Sequence, residues 1–328
     1  MKRALTSYFV VLNKEHDHPP VVGVAPRQSG FRPTPNDRME VTSIMRALDP
    51  EVADAVWSAI EALIPEPEDT HPLGCHRPRS SDRDCFEVML VRLVTGCSWE
   101  DAERLCGNKV SDTTVRDRRD EWEAAGIFEK IATEAIEAYG KIIGIDLTEV
   151  ALDGSAHKSP AGGEGTGKNP TDRAKLGWKW SILTERNGIP IGWAVDGANR
   201  HDSVLLAPTL DNAAQLGLLE EIETIWLDRG YDSDATLERL AASGIDDAVI
   251  ARKRKRGQGA TKKNTPMGLR WPVERTNSWL SNYGQLRRNT DRKVIHRLAQ
   301  FALAVALLLT GKLIDWRNRW SPAPSPIR

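Results

Sequence analysis

Apolar residues recur at intervals of three and four through the first half of the chain, which predicts amphipathic helices. The expected helices span 42–63, 81–95, 99–106, 112–124 and 128–139. Pro65 and Pro67 end the first of them, and Ser111 is a suitable cap for the fourth. The chain is therefore expected to contain an all-α region before about residue 146.

The pattern changes after residue 146, where short β-branched and aromatic runs predict strands. Strands are expected at 148–153, 178–185, 189–195, 223–227 and 248–251, and helices at 202–216, 233–243, 270–283 and 294–313. Asn187-Gly188 between two of the strands is a strong hairpin signal. The order strand, hairpin, helix, strand, helix, strand, helix predicts a mixed α/β sheet of the ribonuclease H-like class.

These patterns divide the chain into four parts. Residues 1–40 are rich in Pro, Gly, His and charge and are expected to be a disordered extension. Residues 41–145 form the helical domain, 146–316 the ribonuclease H-like domain, and 317–328 a tail. The apolar start of the chain lacks a small-residue cleavage site, so a cytoplasmic protein is expected.

Two helices of the first domain have a helix-turn-helix layout. The helix expected at 99–106 ends at Gly107-Asn108, and the next one carries Arg116, Arg118 and Arg119. Such arginines can contact phosphates or guanine edges, so Arg116 and Arg119 are candidate DNA contacts. The same helix is also rich in acids, which leaves a purely structural helical bundle as the alternative.

Composition excludes several classes of protein. Charged residues make up 28% of the chain and the net charge is −1, which excludes a uniformly basic DNA-coating protein and an acidic disordered one. The longest apolar run, 301–309, is about half of what a membrane-spanning helix needs, so no membrane is expected as a partner. His71, Cys75, His76 and Cys85 match no common zinc spacing.

The small net charge hides a basic segment. Residues 252–293 contain thirteen lysines or arginines and two acids, centred on Arg252, Lys253, Arg254, Lys255 and Arg256. A basic segment on an otherwise acidic chain is typical of a surface that binds a polyanion, although a solvated loop would look the same. The glycine-rich stretch 162–169 resembles a phosphate-binding loop but has Asn169 where Ser or Thr is needed. A mobile loop near an active site is the better interpretation.

Candidate chemistry comes from acids that follow apolar strands. Asp153 and Asp228 each end a predicted strand, and Glu274 lies on a helix inside the basic segment. Functional groups collect at the carboxyl ends of strands in open α/β sheets. Three carboxylates can hold two divalent ions for phosphodiester chemistry, with Lys and Arg around them for the DNA backbone. Each acid alone could equally be a cap or an ion-pair partner.

At these residues the sequence resembles the bacterial insertion-sequence transposases of the DDE class. It is similar to the insertion-sequence-five family, with an insertion-sequence-four-type catalytic domain. The stretches that carry the resemblance are Asp153-Gly154-Ser155, Asn169-Pro170-Thr171-Asp172-Arg173, Ala198-Asn199-Arg200-His201-Asp202, Leu227-Asp228-Arg229-Gly230-Tyr231 and Val273-Glu274-Arg275. Residues 83–99 with Thr114-Val115-Arg116 resemble the amino-terminal helical domain of the family.

The resemblance implies that Asp153, Asp228 and Glu274 are the catalytic, metal-binding triad, with two Mg²⁺ ions per site and Mn²⁺ as a substitute. Arg270 and Glu274 fit the last block of the family, whereas Met267 and Ser281 replace its Tyr and Lys. Possible contacts to the DNA backbone are Lys179, Arg229, Arg270, Arg275, Arg287 and Arg288, the last three as substitutes for the lost Lys. Asn199, His201 and Asp202 are expected to shape the entry of a helix.

The implied function is cut-and-paste DNA transposition, with hydrolysis at terminal inverted repeats followed by transfer of the 3′-hydroxyl into target DNA. The expected partners are both DNAs and a second copy of the chain, in a bacterial cytoplasm at the nucleoid. Two alternatives stay open: a domesticated or inactive DNA-binding regulator that keeps the fold, and a ribonuclease H-like nuclease.

Overall fold

The computed structural model describes residues 44–66, 78–250 and 270–320. Within these residues, five α-helices precede the sheet: α1 (Pro50–Glu61), α2 (Asp82–Thr95), α3 (Trp99–Leu105), α4 (Asp112–Ala124) and α5 (Ile127–Ile142). Within the expected helix 42–63, a 3-10 turn at Ile44–Leu48 precedes α1. Asp49 caps α1 and Pro50 opens it, since proline lacks the N–H that would continue a preceding helix. The extension 1–40 and residues 321–328 of the expected tail lie outside the described residues.

The sheet contains six strands: β1 (Glu149–Lys158), β2 (Gly167–Lys168), β3 (Leu176–Thr184), β4 (Pro190–Gly197), β5 (Thr224–Leu227) and β6 (Asp247–Ile250). Its main order is β4-β3-β1-β5-β6, with β2 beside the start of β3. The pairs β4/β3 and β3/β1 are antiparallel, and β1/β5 and β5/β6 are parallel. This strand order confirms the expected ribonuclease H-like fold.

In the described part of the chain, five α-helices accompany or follow the strands: α6 (Asp202–Gln215), α7 (Asp234–Ala242), α8 (Trp271–Ser281), α9 (Gly284–Arg287) and α10 (Val294–Trp320). The expected helix 270–283 is α8, and the short α9 follows it. His201, rather than Asp202, is the N-cap residue of α6, and Asp202 is its first residue.

The two faces of the sheet carry separate cores. On the front face, Trp178, Trp180 and Ile182 of β3 join one apolar cluster with the five amino-terminal helices and α10. On the back face, Leu152 and Leu183 join a second cluster with α6 and α7. The helical region and the sheet therefore share a continuous core on the front face.

Helix α10 is the centre of that shared core. By length and composition it is the one helix of the described chain that could cross a membrane, but 78% of its apolar window is buried inside the protein. It packs along α5 and also contacts α1. Its apolar surface is thus explained by the packing of a core helix.

A buried ionic network joins the helical region to the start of α10. Arg92 of α2 donates to Asp291 at 3.0 Å, and Arg119 of α4 lies 3.4 Å from the same carboxylate. Arg92 is 3% exposed and Asp291 7% exposed. The Arg92 guanidinium also stacks over the Trp99 ring, 4.0 Å from its centroid. This network fixes α2 and α4 against the carboxyl-terminal part of the chain.

The glycine-rich stretch 162–168 packs against the segment that precedes α10. Arg297 donates to the carbonyl oxygens of Gly162 and Glu164. A Cβ on Gly163 would lie 2.2 Å from the Arg292 carbonyl oxygen, so only glycine fits there. The glycines therefore permit close backbone packing, and these contacts tie down the loop that the sequence suggested to be mobile.

Replacing Asp291 is expected to destabilise the protein strongly. The Asp291→Ala variant leaves two arginines without their buried carboxylate, and breaking a buried pair costs about 3–5 kcal/mol. Denaturant unfolding measures the loss. The matched control is Asp101→Ala, which removes an exposed partner of Arg104 and should cost less than about 1 kcal/mol. Equal losses in the two variants would contradict a buried network.

His157 is expected to make stability depend on pH. Burial lowers the pKa of His157 from 6.5 to about 3, and its ring stacks on Trp180 with centroids 3.7 Å apart. Because the unfolded chain binds the proton more tightly, this stabilisation is complete above pH 6.5 and is lost as the pH falls toward 3. The His157→Phe variant should lose that part of the pH dependence, up to about 1.4 kcal/mol per pH unit.

Unfolding curves of wild type and His157→Phe between about pH 7 and pH 5 test this expectation. The control is His201→Gln, which removes an exposed histidine. Parallel pH curves for wild type and His157→Phe would show that His157 does not stay neutral in the fold.

Candidate catalytic centre

Asp153 and Asp228 lie at the same edge of the sheet. The parallel ladder between β1 and β5 ends with the pair Leu152 and Leu227, and the two aspartates follow at once. β1 itself continues to Lys158, so Asp153 lies within the strand and pairs with Ile182 of β3. This corrects the expectation that the strand ends at Asp153. The expected proximity of the two acids depends on the parallel ladder and is unaffected.

The two carboxylates interact electrostatically. Burial, together with the negative charges of Asp228 and Asp202, raises the pKa of Asp153 to about 6. A hydrogen bond from the Gly154 amide and the positive charge of Arg270 oppose that rise in the pKa. Asp228 accepts a hydrogen bond from the Gly230 amide, which orients its carboxylate. The centre thus concentrates negative charge in a partly buried place.

Glu274 lies on α8, which packs beside β1 and β3. Thr276 donates to the Gly188 carbonyl oxygen, and Trp180 donates to Asn277 at 2.7 Å. The Glu274 side chain is 60% exposed and lies 3.7 Å from Arg270, whose charge reaches Asp153. Glu274 is therefore one helical turn from Arg270, whose charge acts on Asp153, but it does not lie together with Asp153 and Asp228.

Sequence reasoning missed the proximity of Asp202 and Lys179 to this centre. β4 runs parallel to β1, because both are antiparallel to β3, so α6 begins at the edge where the β1/β5 ladder ends. Asp202, the first residue of α6, accepts a hydrogen bond from Lys179 at 2.7 Å. A Cβ on Gly154 would lie 2.6 Å from Asp202 Oδ1. The signal for this contact is the glycine that directly follows Asp153.

Two hydroxyl groups lie close by on the back face. Tyr231 is fully buried, and its pKa is raised well above 10 by burial and then by the charges of Asp202, Asp153 and Asp228. Its hydroxyl lies beside Ser181, and neither oxygen makes a hydrogen bond of ordinary geometry. The charges of all three aspartates therefore reach Tyr231.

The candidate DNA contacts differ in their exposure. Arg229, Arg270, Arg287 and Arg288 are exposed. The backbone of Arg288 pairs with that of Lys158, the last residue of β1, so both Arg287 and Arg288 lie beside the end of this strand. Arg275 is half-buried between the rings of Trp271 and Trp279 and donates to the Asn187 carbonyl oxygen. The central basic residues Arg252, Lys253, Arg254, Lys255 and Arg256 lie outside the described residues.

Two of the candidate contacts are buried. Arg119 is 7% exposed and faces Asp291, and Lys179 is 8% exposed and faces Asp202. Of the arginines on α4, Arg116 is exposed, where it pairs with Asp112. Arg119 and Lys179 thus lie inside the protein beside acidic partners, and their expected contact with DNA stays a prediction.

The acids at the sheet edge fit a divalent cation. Carboxylate oxygens are the ligands that Mg²⁺ prefers, and a cation between Asp153 and Asp228 would relieve the repulsion that raises the Asp153 pKa. Within the described ranges, no group of three His, Cys, Asp or Glu side chains is close enough to hold a metal ion. Asp153 and Asp228 are the two acids that the end of the β1/β5 ladder brings together.

Comparison with known families gives two matches. Residues 141–309 match the family described as "Transposase DDE domain", and residues 52–132 match "Putative transposase of IS4/5 family". The first match spans the strands that carry Asp153 and Asp228 and also the helix that carries Glu274. The second spans α2 to α4 and most of α1.

Two proteins of Burkholderia cepacia are similar to parts of the chain. One is described as "Putative transposase for insertion sequence element IS402" and is 37% identical over 133 residues, 39% of this chain and 60% of the relative. The other, "Insertion element IS402 uncharacterized 16.2 kDa protein", is 31% identical over 123 residues, 37% of this chain and 82% of the relative. The alignment thus spans about three fifths of the first relative.

A solved structure described as a pre-cleavage Mos1 transpososome aligns with 84% of this chain and 93% of its own, at 10% identity and a TM-score of 0.29. So remote a likeness adds nothing to the family assignment. That assignment rests on the family match over 141–309 and on the relative that is covered over 82% of its length. The chain belongs to the DDE transposase family of the insertion-sequence four/five type.

Proposed function

We propose that this protein is a metal-dependent DNA transposase that moves an insertion sequence by cut-and-paste transposition. The observation that carries the proposal is the pair Asp153 and Asp228 at one edge of a ribonuclease H-like sheet, inside the stretch that matches the DDE family. Family membership implies dependence on a divalent metal. The finer assignments are Mg²⁺ as the metal, two ions per site, and Mn²⁺ as a substitute.

The proposed reaction has two steps at phosphorus. Water first cleaves the bond to the 3′ oxygen at the terminal inverted repeat, which leaves a free 3′-hydroxyl and a 5′-phosphate. That 3′-hydroxyl then attacks a phosphodiester of the target DNA and displaces a target 3′-oxygen. Neither step forms a covalent bond to the protein.

Each residue of the centre has a distinct part in this proposal. Asp153 and Asp228 would hold the metal between them, and Glu274 would complete the triad from α8. When bound, the metal lowers the pKa of water and stabilises the charge on the leaving oxygen. Glu274 is largely exposed and pairs with Arg270, whose charge reaches Asp153. Bound DNA would neutralise Arg270 and break this ion pair, which would leave Glu274 free to hold the metal.

Exposed arginines beyond the sheet edge would hold the DNA backbone. Arg229 directly follows Asp228, and Arg270 is close enough to lower the pKa of Asp153. Arg287 and Arg288 lie beside the end of β1, and the basic segment centred on Arg254 would add to them. Because both ends of an element must be processed together, the active form would be a homodimer on paired ends. The protein would act in the bacterial cytoplasm, at the nucleoid.

Strand cleavage tests the catalytic assignment. Purified protein and a labelled duplex carrying the end of the element should give Mg²⁺-dependent nicking at the repeat boundary, which a chelator abolishes. Asp153→Asn, Asp228→Asn and Glu274→Gln should each lower the rate about a hundredfold or more, because the metal site supplies several kcal/mol.

The matched control is Glu238→Gln, an exposed acid on α7, which should cleave like wild type. Tight binding to the repeat without cleavage by any variant would favour a regulator or an inactive copy. Cleavage of duplexes that lack the repeat would favour a general nuclease.

Salt dependence of DNA binding tests the basic surface. The Arg288→Ala variant should lower the slope of log K against log salt by about 0.9, because one phosphate contact is lost. The change should be similar for different DNA sequences, since a phosphate contact carries no base information. Arg239→Ala, which removes an exposed arginine from α7, is the control. An unchanged slope for Arg288→Ala would exclude this residue from the interface.

A further inference from the structure

A polar cluster lies on the back face of the sheet, directly behind β1, the strand that contains Asp153. It consists of Lys179 and Ser181 on β3, Asp202 at the start of α6, and Tyr231 after β5. Side chains alternate between the two faces of a strand, so Asp153 points to the front while Gly154 points to this cluster. We call these four residues the back-face cluster.

The back-face cluster contains an ion pair whose lysine is buried and whose aspartate is partly exposed. The Lys179 side chain is 10% exposed and that of Asp202 39% exposed, and their atoms lie 2.7 Å apart. A buried lysine is unfavourable unless a carboxylate compensates its charge. The cross-strand neighbour of Lys179 on β4 is Asp196, and that carboxylate pairs with Arg200 instead. Asp202 is therefore the carboxylate that compensates Lys179.

The pair is close enough to act on the catalytic strand. Asp202 Oδ1 occupies the place that a Cβ on Gly154 would need, one residue after Asp153. Tyr231 and Ser181 are 0% and 1% exposed, and their hydroxyl groups lie beside each other. The charge of Asp202 reaches the Tyr231 hydroxyl and raises its pKa, so the hydroxyls and the ion pair share one polar surrounding.

We propose that the Lys179–Asp202 ion pair is a positioning element of the catalytic centre, which sets the electrostatic potential at Asp153 and Asp228 and thereby the affinity for a divalent cation. This inference rests on the proposed function, because it takes these two aspartates as the metal ligands. It assigns to Asp202 and Lys179 a role that does not require contact with DNA.

The proposal predicts changes of opposite sign. Asp202→Asn keeps an acceptor for Lys179 but leaves a net positive charge behind the centre, so a divalent cation should bind more weakly. Lys179→Met leaves the negative charge of Asp202, so the cation should bind more tightly. The double variant removes both charges and should bind like wild type. A purely structural role would weaken binding in both single variants.

Mn²⁺ binding to the full-length protein without DNA measures these shifts. Titration calorimetry, or electron paramagnetic resonance of free Mn²⁺, gives the dissociation constant. Each single variant should shift it about three- to tenfold, the effect of one unit charge across a partly screened site. If Lys179→Met does not fold, Lys179→Gln makes the same charge change and can still hydrogen-bond Asp202.

Asp54→Asn and Arg83→Met are the matched controls. They break an ion pair of 2.6 Å between α1 and α2, away from the sheet, and should leave Mn²⁺ affinity unchanged. Shifts of the same sign in Mn²⁺ affinity, or no shifts, in the Lys179 and Asp202 variants would overturn the inference. Loss of Mn²⁺ binding in Asp228→Asn would in that case still support the metal site. No Mn²⁺ binding by wild type would overturn both.

Discussion

The centre depends on one parallel contact in a sheet whose other half is antiparallel. Because β1 and β5 run in the same direction and end their ladder together, Asp153 and Asp228 must lie side by side. Two carboxylates in a partly buried place repel each other, and this repulsion contributes to the raised pKa of Asp153. The fold thus holds an unfavourable charge arrangement in place, and a cation is the group that relieves it.

The helical region contributes to this arrangement from the front face. Its helices do not form a separate domain with a core of its own, because the apolar cluster on the front face of the sheet also contains residues of α1, α2, α4 and α5. Arg92 and Arg119 add a buried ionic link to Asp291, just before α10. A region with the layout of a helix-turn-helix thus uses Arg92 and Arg119 as internal counter-ions. Exposed arginines of the sheet region include Arg229, Arg270 and Arg288.

The sequence was sufficient for those parts of the fold that local patterns determine. Alternating apolar residues, the Asn187-Gly188 turn and the acids after apolar runs predicted the strands, the hairpin and the two central aspartates. Patterns of this kind carry no information about burial of single charges, which depends on partners distant in sequence. The pairing of Arg119 with Asp291 spans 172 residues, and that of Lys179 with Asp202 spans 23. Both residues therefore resembled surface DNA contacts in the sequence alone.

The two faces of the catalytic strand have complementary roles. On the front, Asp153 points toward the side where α8 carries Arg270 and Glu274, so charges there can change when DNA arrives. On the back, Gly154 lets Asp202 approach the backbone, and the charges of Asp202 and Lys179 compensate each other inside the protein. Because the Lys179 side chain is 10% exposed and that of Asp202 39% exposed, solvent screens this pair less than it screens a fully exposed one. Under the proposed function, the pair therefore makes a steadier contribution to the potential at Asp153 than the exposed charges in front of the strand.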